Sequence, residues 1–109
     1  MSADIQELMD KNAIIELIIR LSYAFDERDG AKMRSVFADR VDCDIGAQGN
    51  NGTAVVSTVD ADWLCEVSIA NLSQFDMTQH MNGMHLVTVD GDEAKLTADV
   101  IGSETAAAP

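Results

Sequence analysis

The 109-residue chain sets nineteen acidic side chains against seven basic ones, a net charge of −12, with 47% hydrophobic residues. That is the size of one domain, and its acidity excludes nucleic acid and disfavours anionic membrane surfaces: Lys11, Arg20, Arg28, Lys32, Arg34, Arg40 and Lys95 form no cluster able to neutralise phosphates. No apolar run is long enough to cross a bilayer, and the polar, acidic opening Met1-Ser2-Ala3-Asp4 predicts no secretory leader, so a cytoplasmic setting is expected, with Cys43 and Cys65 as reduced thiols.

Ser2 is positioned to cap a first helix over Ala3 to Arg28, with Ile5, Leu8, Ile14, Ile15, Leu17, Ile18, Leu21, Ala24 and Phe25 on its apolar side. Such a helix is about 39 Å long at about 1.5 Å per residue. Asp10 to Asn12 interrupts the stripe and permits a kink. Asp29 and Gly30 end the helix, and a short second one follows over Ala31 to Phe37. Val41-Asp42-Cys43-Asp44-Ile45 alternates as a half-buried strand, with Val41, Cys43 and Ile45 turned in. Most of Gly46 to Thr58 reads as a loop. Asp60 is a candidate N-cap for a third helix, Ala61 to Leu72.

Two strands close the domain, Thr78 to Val89 and Glu93 to Ile101, joined at Asp90-Gly91-Asp92, a strong hairpin signal. The unpatterned segment from Gly102 to Pro109 is expected to fray, which sets the domain at 1–101. Loop length decides which histidine faces the interior. A two-residue Asp90-Gly91 loop sets Val87 opposite Ala94 and turns His85 inward. A three-residue loop sets Leu86 opposite Leu96 and turns His80 inward. The second buries more apolar surface and is preferred. The two rings lie five residues apart and face opposite sides unless a bulge at Asn82-Gly83 intervenes; even then only carboxylates are on offer as a third ligand, so a shared metal site is not expected.

Several pieces carry a family resemblance through their order and spacing. They are Asp4-Ile5-Gln6-Glu7-Leu8, the helix end Tyr23 to Gly30 before Val36-Phe37-Ala38, the strand Val41 to Ile45, Thr78-Gln79-His80, and Val87-Thr88-Val89-Asp90-Gly91-Asp92-Glu93-Ala94. From Ile5 to about Val100 the chain resembles the SnoaL-like branch of the nuclear transport factor 2-like superfamily, whose relatives include polyketide cyclases, scytalone dehydratase and ketosteroid isomerase. The resemblance implies an α+β, cystatin-like cone, in which a curved β-sheet wraps an apolar pocket closed by N-terminal helices. This chain stops where the family usually adds two long strands.

By the same resemblance, Asp26 matches a pocket carboxylate at the end of the first helix, and His80 matches a strand histidine acting as acid or base. The family's tyrosine beside the carboxylate is Phe25 here, with Tyr23 one turn back. A second pocket tyrosine matches Ile45, and a second histidine falls near Glu104. The implied activity is a cofactor-independent lyase, isomerase or cyclase acting on a hydrophobic polyketide, steroid or terpenoid-like molecule. His80 would shuttle the proton, Asp26 would orient it, and Tyr23 would add a hydrogen bond. Phe25, Ile45, Trp63 and Met84 are the candidate substrate contacts. The alternative is a non-catalytic ligand-binding or assembly module of the same fold. An exposed sheet edge at Ile101 further predicts a homodimer through the sheet, or else a fragment of a longer reading frame.

Overall fold

The computed structural model describes residues 2–45 and 55–106. Its elements run α1 (Ala3–Glu27), α2 (Gly30–Arg34), β1 (Arg40–Ile45), β2 (Val55–Asp60), α3 (Ala61–Leu72), β3 (Phe75–Asp90) and β4 (Glu93–Ala106). The expected α+β architecture is present: α1 packs across β3, and among the described residues the strands form two antiparallel ladders, β1–β2 and β3–β4.

The Ser2 hydroxyl caps α1 as predicted, accepting from the Ile5 N–H at 3.2 Å. The helix runs unbroken through Asp10–Asn12 and stops at Arg28, which adopts the left-handed conformation at φ 52°. There the Asp29 N–H donates to the Ala24 carbonyl at 3.0 Å and the Arg28 N–H to the Phe25 carbonyl at 3.3 Å. This pair of hydrogen bonds is a Schellman closure, and it satisfies carbonyls that would otherwise be orphaned. The Asp29 carboxylate then accepts from the Lys32 N–H and starts α2, shorter than expected. Asp60 does precede α3, but its side chain makes no cap; it pairs instead with Arg40 at 2.6 Å.

Two further expectations fail. Val55 to Thr58, expected as the end of the loop, belong to the strand Val55–Asp60, paired residue for residue with Arg40–Ile45. The final strand also runs on to Ala106, because Gly102–Ala106 pair back onto Phe75–His80 instead of fraying. Residues 46–54 of the expected loop, and the tail beyond 106, lie outside the described residues.

The core sits where the three helices meet. Ala24, Met33 and Cys65 are its buried centre, packed by Leu21, Phe25, Phe37 and Ile69. Met33 is fully buried, and truncating such a side chain to Ala costs about 2–5 kcal/mol. The apolar stripe of α1 is only partly used: Ile5 and Leu8 remain 49% and 67% exposed. The radius of gyration, 15.4 Å, exceeds the roughly 13 Å typical of this length. The reason is the β3–β4 ribbon, itself about 50 Å long.

Candidate functional site

The hairpin register decides what β3 presents to α1. Its loop is Gly91-Asp92, with Asp90 paired to Glu93 and Val87 to Leu96. Gly91 sits at φ 61° in the first central position, the demand of a II′ turn. Neither predicted register holds. Leu86 lies opposite Thr97 and is 68% exposed, while Val87 is buried.

His80 nevertheless faces inward, because the strand changes parity. Between Gly83↔Asp99 and Leu86↔Thr97, Met84 and His85 together oppose Ala98, and Met84 takes φ 55°. This is a β-bulge. On its far side Val87 and Val89 face the helices; on its near side Thr78, His80 and Asn82 do. His85 turns inward as well, so the two histidines are not mutually exclusive.

Asp26, one residue before the end of α1, meets this face. Its Oδ1 lies 2.7 Å from His80 Nδ1, and its two oxygens lie 3.1 and 2.9 Å from the backbone N–H of His80. A carboxylate only accepts, so Nδ1 carries the proton and Nε2 is left as the free nitrogen. The Thr78 hydroxyl also donates to Asp26 Oδ1, at 3.2 Å, while accepting from Arg28 at 2.9 Å. Burial by itself would raise the Asp26 carboxyl. The hydrogen bonds from the His80 backbone and ring and from Thr78, with the His80 charge, outweigh it and hold the group below its ordinary value of 3.8. Both side chains keep about a fifth of their surface in water, 21% for His80 and 22% for Asp26. Phe25 flanks the ring, its centroid 5.2 Å away.

Beside the pair lies a cleft of about 290 Å³ between α1 and β3. Ile19, Tyr23 and Met81 give it apolar surface; Ser22, Asp26, Gln79, His80 and Asn82 make it more polar than expected. Of the predicted residues, the structure thus brings together Asp26, His80 and Tyr23 on the cleft, with Phe25 behind the ring. The other three are elsewhere: Ile45 ends β1, Trp63 is 44% exposed on α3, and Met84 is 81% exposed at the bulge.

Three contributors were not foreseen. Arg28 reaches the Asp26, Leu72 and Phe75 carbonyls and the Thr78 hydroxyl, all between 2.9 and 3.2 Å. Ser22 and Asn82 bond to each other at 2.6 Å, one helical turn before Asp26 and two residues after His80. The sequence signal existed for Arg28: a non-glycine residue at a helix end next to Asp-Gly needs a reason to be there. The described residues bring no group of three His, Cys, Asp or Glu together as metal ligands.

Residues 6–108 match the family described as the SnoaL-like domain. Two solved structures share the fold. The Kfla4162 protein of Kribbella flavida is 27% identical at a TM-score of 0.78, over 88% of this chain and 64% of that one. A putative scytalone dehydratase of Novosphingobium aromaticivorans is 15% identical at a TM-score of 0.65, over 94% of this chain and 64% of that one. The chain therefore spans slightly under two thirds of each neighbour's length. No curated protein matches it.

Proposed function

Since the chain belongs to the SnoaL-like family, we propose that it is an acid–base enzyme acting on a small, largely hydrophobic molecule held between α1 and β3. The observation that carries this reading is the 2.7 Å contact from Asp26 to His80 Nδ1, which leaves Nε2 as the working nitrogen. In this reading Nε2 removes a proton from the substrate, the imidazolium is stabilised by the Asp26 carboxylate, and the proton returns to a leaving hydroxyl or to another carbon. The first outcome corresponds to a lyase and the second to an isomerase; in a cyclase the carbanion attacks a carbonyl of the same molecule and the proton goes to the alkoxide oxygen so formed. No cofactor is required. Tyr23, on the rim and 62% exposed, would close over a bound molecule.

The test is a pH–rate profile on any substrate found by screening hydrophobic ketones and alcohols. His80→Ala should abolish turnover, and Asp26→Asn should reduce it by about 10²–10⁴-fold, the range for a positioned acid–base group. Turnover unaffected by both replacements would overturn the roles given to His80 and Asp26, and binding without any turnover would leave the second reading, a non-catalytic ligand-binding module. That reading draws support from the absence of a second histidine at Glu104, which lies on β4 opposite Thr78 of β3.

A homodimer through the outer face of the β3–β4 ribbon belongs to the same proposal. Its support is a set of exposed apolar side chains, Met77 at 70%, Leu86 at 68% and Ile101 at 72%, the kind of surface that marks an interaction face. Light scattering coupled to size exclusion should give twice the 11.7 kDa chain mass. A cytoplasmic location is proposed with it; the two free thiols agree, and no described helix is long and apolar enough to cross a membrane.

A further inference from the structure

The bulge that turns His80 inward also gives the cleft a second polar arm. His85 Nε2 lies 2.6 Å from Asn82 Oδ1, and Asn82 Nδ2 lies 2.6 Å from Ser22 Oγ. An amide oxygen only accepts, so His85 holds its proton on Nε2 and donates it, which determines which end of the Asn82 amide meets Ser22. Once that orientation is set, Asn82 retains one N–H beyond its bond to Ser22. The Ser22 hydroxyl, as acceptor of the Asn82 bond, keeps its own proton. Neither donor has another partner among the described residues, and both residues line the cleft that holds Asp26 and His80.

We infer that Ser22 and Asn82 form an oxygen-binding subsite, with His85 as the positioning residue that orients it. The inference rests on the small-molecule reading above and deepens it by naming what the molecule must carry. The subsite donates and is uncharged, so it suits a carbonyl or hydroxyl oxygen rather than a carboxylate or a phosphate, which the neighbouring Asp26 charge would repel. Residues 80 and 82 share the inward face of β3, two positions apart, so the subsite adjoins His80 along the strand. The ligand class is therefore a small apolar ketone or alcohol whose oxygen binds beside the carbon or oxygen that exchanges a proton with His80. A carbonyl held there would have its developing negative charge stabilised by both donors.

The test uses the intact chain and two probes of nearly equal shape, 1-tetralone and its hydrocarbon counterpart tetralin, titrated by NMR. The ketone should bind about fivefold to tenfold tighter than tetralin, the span of one neutral hydrogen bond, and should shift the Asn82 side-chain amide. Asn82→Asp keeps the shape and the bond from His85 but removes the donor, and should bring the two affinities together. Ser22→Ala should lower the preference by a smaller factor, with the cleft still occupied. His85→Phe should broaden or move the Asn82 amide signal before any probe is added. If both probes fill the cleft equally in the wild-type chain, the subsite is overturned and the small-molecule reading stands. If neither probe perturbs any cleft residue, both fall together.

Discussion

The Arg28 guanidinium donates to the Thr78 hydroxyl at 2.9 Å, and that hydroxyl in turn donates to Asp26. A helix-ending residue thus reaches 50 positions along the chain to orient the proton that steadies the site's carboxylate. The same guanidinium holds the carbonyls of Leu72 and Phe75, where α3 hands over to β3. Fold closure and site geometry share one planar fork, and Arg28 keeps its left-handed backbone because those bonds offset the strain.

Replacing Arg28 by Lys should therefore destabilise the chain by about 2–3 kcal/mol, since a single ammonium cannot serve carbonyls and hydroxyl together. Urea denaturation checks this. Arg28→Gly would suit the helix end better by backbone preference, yet should also lose stability, and that contrast identifies the side chain as the cause.

Asp26 makes a directional prediction against pH. Its folded carboxyl titrates below 3.8, so the stability it adds is fully present above that value and is lost as pH falls through the lower folded value. Denaturation of wild type and Asp26→Asn at neutral pH and near pH 3 should show a difference that shrinks toward the acid end. A gap of constant size would mean the carboxylate is not held by His80.

Much of this was legible in the sequence, and the gaps have physical causes. Residues 61–72 were readable as a helix because an Asx residue precedes a run free of breakers. The Asp26–His80 partnership was legible only through resemblance, since no local pattern joins positions 54 apart. The inward turn of His80 came out right by the wrong route: the preferred register is absent, and the bulge at Met84 restores the direction. Nothing about a methionine announces a positive φ. The run Gly102–Ala106 lacks alternation, and only its ladder with Phe75–His80 makes it a strand. Val55–Asp60 was obscured by the glycines and asparagines before it, although its valines and threonine are good strand formers.

Gly102 pairs with His80 across the ladder, and a Cβ there would sit 3.7 Å from ring Cδ2 and 3.8 Å from Nε2. That is ordinary contact, so Gly102→Ala should be tolerated. Gly102→Leu would instead cover the free nitrogen and should suppress ligand binding or turnover with little change in melting temperature. The paired measurements, binding and thermal melting, separate obstruction from unfolding.

Met84 carries a strained backbone with 81% of its surface exposed. Met84→Gly should relieve that strain and stabilise the fold by about 1 kcal/mol, while Met84→Ile should cost at least as much. Thermal melts of the two variants should move in opposite directions.

Cys65 is 6% exposed, and burial pushes its thiol up from 9.0, with the Arg34 charge opposing and Asp62 adding to the rise. It should resist alkylation by iodoacetamide at pH 8 in the native chain and react promptly in denaturant. Mass spectrometry of the labelled peptides distinguishes it from half-buried Cys43.

The extra residue in β3 works as a phase shifter. Removing Met84 would rotate everything upstream by half a pleat, sending the imidazole and the amide of Asn82 to the outside while Val87 stays in its hydrophobic seat. The residues that meet Asp26 and the valines that fill the core are written in opposite phase along one continuous strand, so a single-codon deletion would turn the first away from α1 while leaving the second in place.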